Sequence, residues 1–117
     1  MVRPFIPLRH EVIRVRRLQE TGVDDLGNDI IVDVEDEVPV KVAGWASARS
    51  DEPKVAGHDR LAVDVELFAL PGDFTEGDAV RLDPYGLLEV VGHPEDYNHG
   101  PWWSPGLVVV NLRRADR

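Results

Sequence analysis

The residues with the most chemistry for their length lie between His93 and His99. His93, Glu95, Asp96 and His99 are imidazole and carboxylate groups of the kind that hold Zn²⁺. Their spacing, HxExxxH, gives no i, i+4 pair on a helix, and Pro94 opposes a helix there. Ordinary loop residues are the simpler reading, and no metal is expected. Ser47, Ser50 and Ser104 are the only serines, and none stands in a GxSxG elbow or another nucleophile setting. The neighbouring carboxylates Asp24-Asp25 and Asp36-Glu37 fall in turn-rich stretches, without sign of converging as acid and base. The glycines form no phosphate cradle. With no cysteine in the chain, disulfides, thiolate metal sites and cysteine nucleophiles are excluded. The expectation is a protein that is not an enzyme and needs no cofactor.

What chemistry the chain does advertise is adhesive. The block YNHGPWWSPG holds Tyr97, Trp102 and Trp103 between prolines, and tryptophan is favoured at interface hot spots. In an extended segment the two indoles point to opposite sides, so one can cap the core while the other meets a partner. At the other end, Pro4 and Pro7 flank Phe5 and Ile6, and residues 1–9 read as an extended arm able to dock on a neighbour. Phe5, Ile6, Tyr97, Trp102 and Trp103 are therefore the candidate interface residues.

The elements that must carry these groups are strands. LAVDVELFAL sets Leu61, Val63, Val65, Leu67 and Ala69 on one face, the period-two pattern of a half-buried strand. AVRL, LLEVVG and GLVVVNLRR follow, separated by Gly, Pro, Asp and Asn. Upstream, HEVIRVRRL is a first strand, with Ile13 and Val15 opposite Arg14 and Arg16. QETGVDDLGND is a turn region ending on Gly27-Asn28, and IIVDVED returns as a hairpin. VPVKVAGW places Val38, Val40 and Val42 on one face and Pro39 on the other, which fits an edge strand. Between these halves, residues 46–60 lose the apolar pattern and carry Arg49, Asp51, Glu52, Lys54, His58, Asp59 and Arg60. A polar connection that long in a small domain is either a functional loop or a disordered one. No window has sustained helical spacing, so the expected fold is all-β: a small antiparallel barrel of about six strands spanning 1–117 as one domain, with residues 115–117 frayed.

Composition narrows the partners. The chain has 117 residues, enough for one domain with one modest core, and oligomerisation is a natural route to further burial. Its net charge of −9 argues against a protein that neutralises phosphates, and no basic stripe with interleaved aromatics is present. No signal peptide or apolar run of about 18 residues is visible, so a soluble protein without membrane contact is expected.

The order of the pieces resembles the head-to-tail stopper, or head completion, proteins of long-tailed bacteriophages, especially those infecting actinobacteria. The likeness runs from Gly44 and Arg49-Ser50-Asp51-Glu52 through Asp59-Arg60 and Phe68-Ala69-Leu70-Pro71-Gly72. It continues in Asp78-Ala79-Val80-Arg81-Leu82, Glu89-Val90-Val91-Gly92-His93-Pro94, Trp103-Ser104-Pro105-Gly106 and Val110-Asn111-Leu112-Arg113-Arg114. It covers roughly residues 38–114; DPYGLLEV and the acidic first half depart from the pattern. The resemblance implies a structural protein of the virion neck, assembled in the host cytoplasm. It would form a homo-oligomeric ring, twelvefold if it follows the portal and sixfold if it follows the tail. Partners would be the portal and adaptor on the head side and the tail terminator or tail tube on the other. Packaged DNA would pass through the lumen without sequence-specific binding. The loop 46–60, with the charged residues named above, would line the lumen as a gate. The alternatives are a tail terminator or other tail-joining ring subunit and, from a different class, a small ligand-binding β-barrel.

Overall fold

The computed structural model describes residues 6–47, 54–57, 61–100 and 105–114. Among them there are ten strands and no helix. The strands are β1 (His10–Val23), β2 (Asp29–Val42), β3 (Gly44–Ser47), β4 (Val55–Ala56), β5 (Leu61–Ala62), β6 (Val65–Ala69), β7 (Ala79–Leu82), β8 (Gly86–Val90), β9 (Glu95–Asp96) and β10 (Val108–Arg114). The all-β, antiparallel expectation is met, but with ten strands where about six were expected. The extra ones are mostly two-residue pieces, β4, β5 and β9, too short to show a period.

Eight strands form one sheet in the order β2-β1-β7-β8-β10-β6-β3, with β9 added on β10. The ladder is not an uninterrupted ring, since it ends at β2 on one side and β3 on the other. Those two ends are nevertheless successive pieces of chain. Val42 pairs with His10 of β1, the Ala43 amide donates to the Phe68 carbonyl at 2.9 Å, and Gly44 pairs with Phe68 of β6. One bent strand thus serves both edges, and the sheet curls to bring its inner face around a core that includes Val42, Leu67, Phe74, Val80, Leu88 and Leu112. Alternation explains the membership: Val63, Val65, Leu67 and Ala69 are all buried, as the sequence pattern requires. The strand is broken between Ala62 and Val65, where the Val63 amide donates to the Lys54 carbonyl and the Asp64 amide to the Leu112 carbonyl.

The β1–β2 hairpin departs from its expected length. Both strands run 14 residues, in unbroken register from His10↔Val42 to Val23↔Asp29. Residues 19–23, expected to turn, extend the ladder instead, and the reversal is confined to Asp24–Asn28. There Asp24 Oδ1 accepts from the Leu26 and Asn28 amides at 2.9 and 2.8 Å, and Gly27 takes φ +82°, open to glycine at no steric cost. β7 covers β1 only at Ile13–Val15, so the hairpin beyond Val15 projects from the sheet body. The core-facing side of β1 is also the one carrying Val12, Arg14 and Arg16, because Val12 packs with Val40 and Val42. Arg14 and Arg16 are accommodated there by polar groups at the body's rim. An Arg14 Nη1 hydrogen bond reaches the Asp73 carbonyl at 2.8 Å, and Arg16 makes a two-pronged ion pair with Asp78 at 2.8 Å on each prong.

Candidate functional site

Two surface features gather the candidate residues that the structure describes. The first is an anchor for the second half of the 46–60 loop. Lys54 Nζ donates to Glu66 Oε2 at 2.7 Å and to Glu95 Oε1 at 2.9 Å, all three side chains about one-third exposed. The Tyr97 hydroxyl donates to the same Glu95 oxygen at 3.1 Å. Burial opposes the charge on Glu95, but Lys54, Tyr97 and Asn111 hold its carboxyl below the usual range. Burial likewise works against the Lys54 ammonium, and Glu66 and Glu95 more than compensate, raising its pKa. Backbone fit reinforces the tether. Gly57 and Gly92 both take positive φ, and a Cβ on Gly92 would lie 3.0 Å from the Gly57 Cα and N. The loop segment 54–57 is thereby held to β6 and β9 by charge and to the turn after β8 by direct backbone apposition.

The second feature is an apolar groove of about 290 Å³ lined by Ile6, Phe68, Tyr97, Pro105, Leu107 and Val109. Phe68 and Val109 are directly paired residues on β6 and β10, on the face away from the core. Asn98 shapes one wall: its Oδ1 accepts from the Gly106 amide at 2.6 Å and its Nδ2 donates to the Leu107 carbonyl at 2.9 Å. The structure thus brings Ile6 of the arm and Tyr97 of the tryptophan block together, although they are far apart in sequence. Phe5, Trp102 and Trp103, the other interface candidates, lie outside the described residues, as do the loop candidates Arg49, Asp51, Glu52, His58, Asp59 and Arg60.

Of the HxExxxH residues, Glu95, Asp96 and His99 make hydrogen bonds in the structure. Glu95 is held by Lys54 and Tyr97, and Asp96 binds the Asn98 amide at 2.8 Å and His99 Nε2 at 3.2 Å. Among the described residues no group of three or more His, Asp or Glu side chains is arranged to hold a metal ion. Asp78, which the sequence offered only as the first residue of the stretch 78–82, is a heavily bonded carboxylate. It binds Arg16, the Thr75 amide at 2.9 Å and the Thr75 hydroxyl at 3.3 Å, while its own carbonyl accepts from the Val90 amide at 2.9 Å. Burial alone would raise its pKa; Arg16 and Thr75 override that and hold it below the ordinary value.

Charge is distributed unevenly. Residues 17–36, most of the projecting hairpin, hold seven carboxylates against the one cation Arg17, a net of −6 out of −9 for the whole chain. The same ribbon exposes Leu18, Val23, Leu26, Ile30, Ile31 and Val32. No family model matches the chain, and no curated protein or solved structure matches it either.

Proposed function

We propose that this chain is a ring-forming structural subunit of a phage neck, seated between portal and tail, which retains packaged DNA and offers a docking surface to the tail. The observation that carries the reading is the division of the molecule into a curled sheet body and an acidic, partly apolar ribbon projecting from it. A ring subunit needs two different patches that meet around a closing rotation, and a body with a projecting arm supplies them. The acidity supports a conduit, because carboxylates repel a phosphate backbone and leave DNA free to move. Blocking would fall to the loop 46–60, which Lys54 ties to the body at one end. A tail terminator or other tail-joining ring subunit is the alternative within the same apparatus.

The test is genetic. In the phage that encodes the chain, loss of this protein is expected to give filled heads that leak DNA and lack tails, with complete tails free. Heads that keep their genome and join tails normally would overturn the reading. The apolar groove lends some support to the ligand-binding alternative; a saturable rise in thermal midpoint with a small apolar ligand would favour it.

A further inference from the structure

We propose that copies of this chain associate edge to edge through the projecting hairpins, the free edge of β2 in one copy pairing with the free edge of β1 in the next. The proposal depends on the ring reading only for closure of the series; the pairing itself follows from the two edges. β2 is the terminal strand of the sheet, bonded on one side to β1. β1 is interior where β7 covers Ile13–Val15, but its second edge has no strand partner from Arg16 to Val23 among the described residues. Each copy thus carries two complementary half-ladders, and the open stretch of β1 spans about 27 Å at roughly 3.4 Å per residue.

Charge decides which edges meet. The outward face of β2 carries Asp29, Asp33 and Glu35 beyond Glu37, which Arg81 already holds at 2.6 Å, so β2 against β2 in matching faces sets carboxylate beside carboxylate. On that same face β1 offers the opposite sign at Arg17, which already stands across from Glu35 within the chain; Arg16 lies on the other face and is held by Asp78. A strand has a neighbour on each side. If the next copy's β1 adopts the internal register, each Glu35 lies between two Arg17 side chains. On the other face, Leu18 of that β1 falls beside Val34, an apolar match, while Glu20 falls beside Val32 and Gly22 beside Ile30. Such pairing is heterologous: it uses both edges once per copy and propagates into a ring or an open filament.

The absence of cysteine makes a clean test available. Thr21 and Ile31 are exposed cross-strand partners, so Thr21→Cys and Ile31→Cys, placed in separate chains, cannot join within one molecule. Mixed in equal amounts and oxidised, the two variants are expected to give mixed disulfide dimers, one chain of each kind, well beyond the twofold statistical excess over either homodimer. The excess should shrink several-fold in high salt and with Glu35→Arg in the chain carrying Ile31→Cys. A statistical mixture, a predominance of either homodimer, or cross-linking no faster than an exposed Val55→Cys control would overturn the proposal. Sedimentation of the unmodified chain is an independent check: assembly beyond a dimer with rising concentration is expected, and a monomer at millimolar concentration contradicts it. Cross-linking that succeeds while the phage test fails would remove the neck reading and leave the edge pairing standing.

Discussion

Asp78 shows how much of this fold is fixed by one carboxylate. The carboxylate joins β1 through Arg16 and the turn before β7 through Thr75, while the backbone carbonyl of the same residue joins β8 through the Val90 amide. Its side chain is 3% exposed, so its charge is stabilising only while those partners are in place. Because the folded pKa lies below the ordinary value of about 3.9, the linked stability is fully present above that value. It is lost as pH falls through the folded pKa, and Glu95 contributes with the same sign. Asp78→Asn is therefore expected to cost about 2–3 kcal/mol at neutral pH and to flatten the acid side of the stability profile, both read by urea unfolding from acidic to neutral pH. Little of this was legible beforehand. Arg16 and Asp78 are 62 residues apart, and Lys54 lies 12 and 41 residues from the two carboxylates it bridges. Pairing over such separations leaves no local pattern, whereas the apolar character that marked Ile6 and Tyr97 as adhesive is a property of each residue alone.

At the scale of elements, what alternation could announce it did announce. From Val63 to Ala69 and from Val108 to Leu112 the alternate apolar residues are buried, while Leu61, before the break, is half-buried, and Pro39 falls on a strand that is an edge. The hairpin shows where that signal fails. Gly22, Asp24 and Asp25 are turn formers by type, yet Gly22 continues the ladder opposite Ile30, because backbone pairing needs only extended dihedrals and a partner in register. Along β1, Val12 and not Ile13 packs into the main core cluster, a choice made by Val40 and Val42 across the ladder. The projecting part rests on few contacts outside its own two strands. Replacing residues 18–34 by Asn-Gly, a pair suited to a two-residue turn, should leave Arg17 opposite Glu35 and the body intact. The expected change is within about 1 kcal/mol by urea unfolding, with the same strand signature in circular dichroism. A loss several times larger would show that the ribbon stabilises the body.

For the whole molecule, the fold class was readable because strands dominate and glycine, proline and aspartate punctuate them. A barrel-like curl was expected as well, but not its means, the bend at Ala43–Gly44 that hands one strand from β1 to β6. One further property of the topology bears on how the molecule is made. β10, last of the ten in chain order, lies in the middle of the sheet, between β8 and β6 and against β9. Until it is in place, β8 and β6 have no common neighbour, and the two halves of the sheet share no ladder except through the bent strand. A nascent chain stopped before Val108 is expected to give no protease-resistant body in pulse-proteolysis, although most strands have been synthesised. On the ribosome the sheet must wait for its centre, and during that wait its unsatisfied inner edges are open to any passing strand.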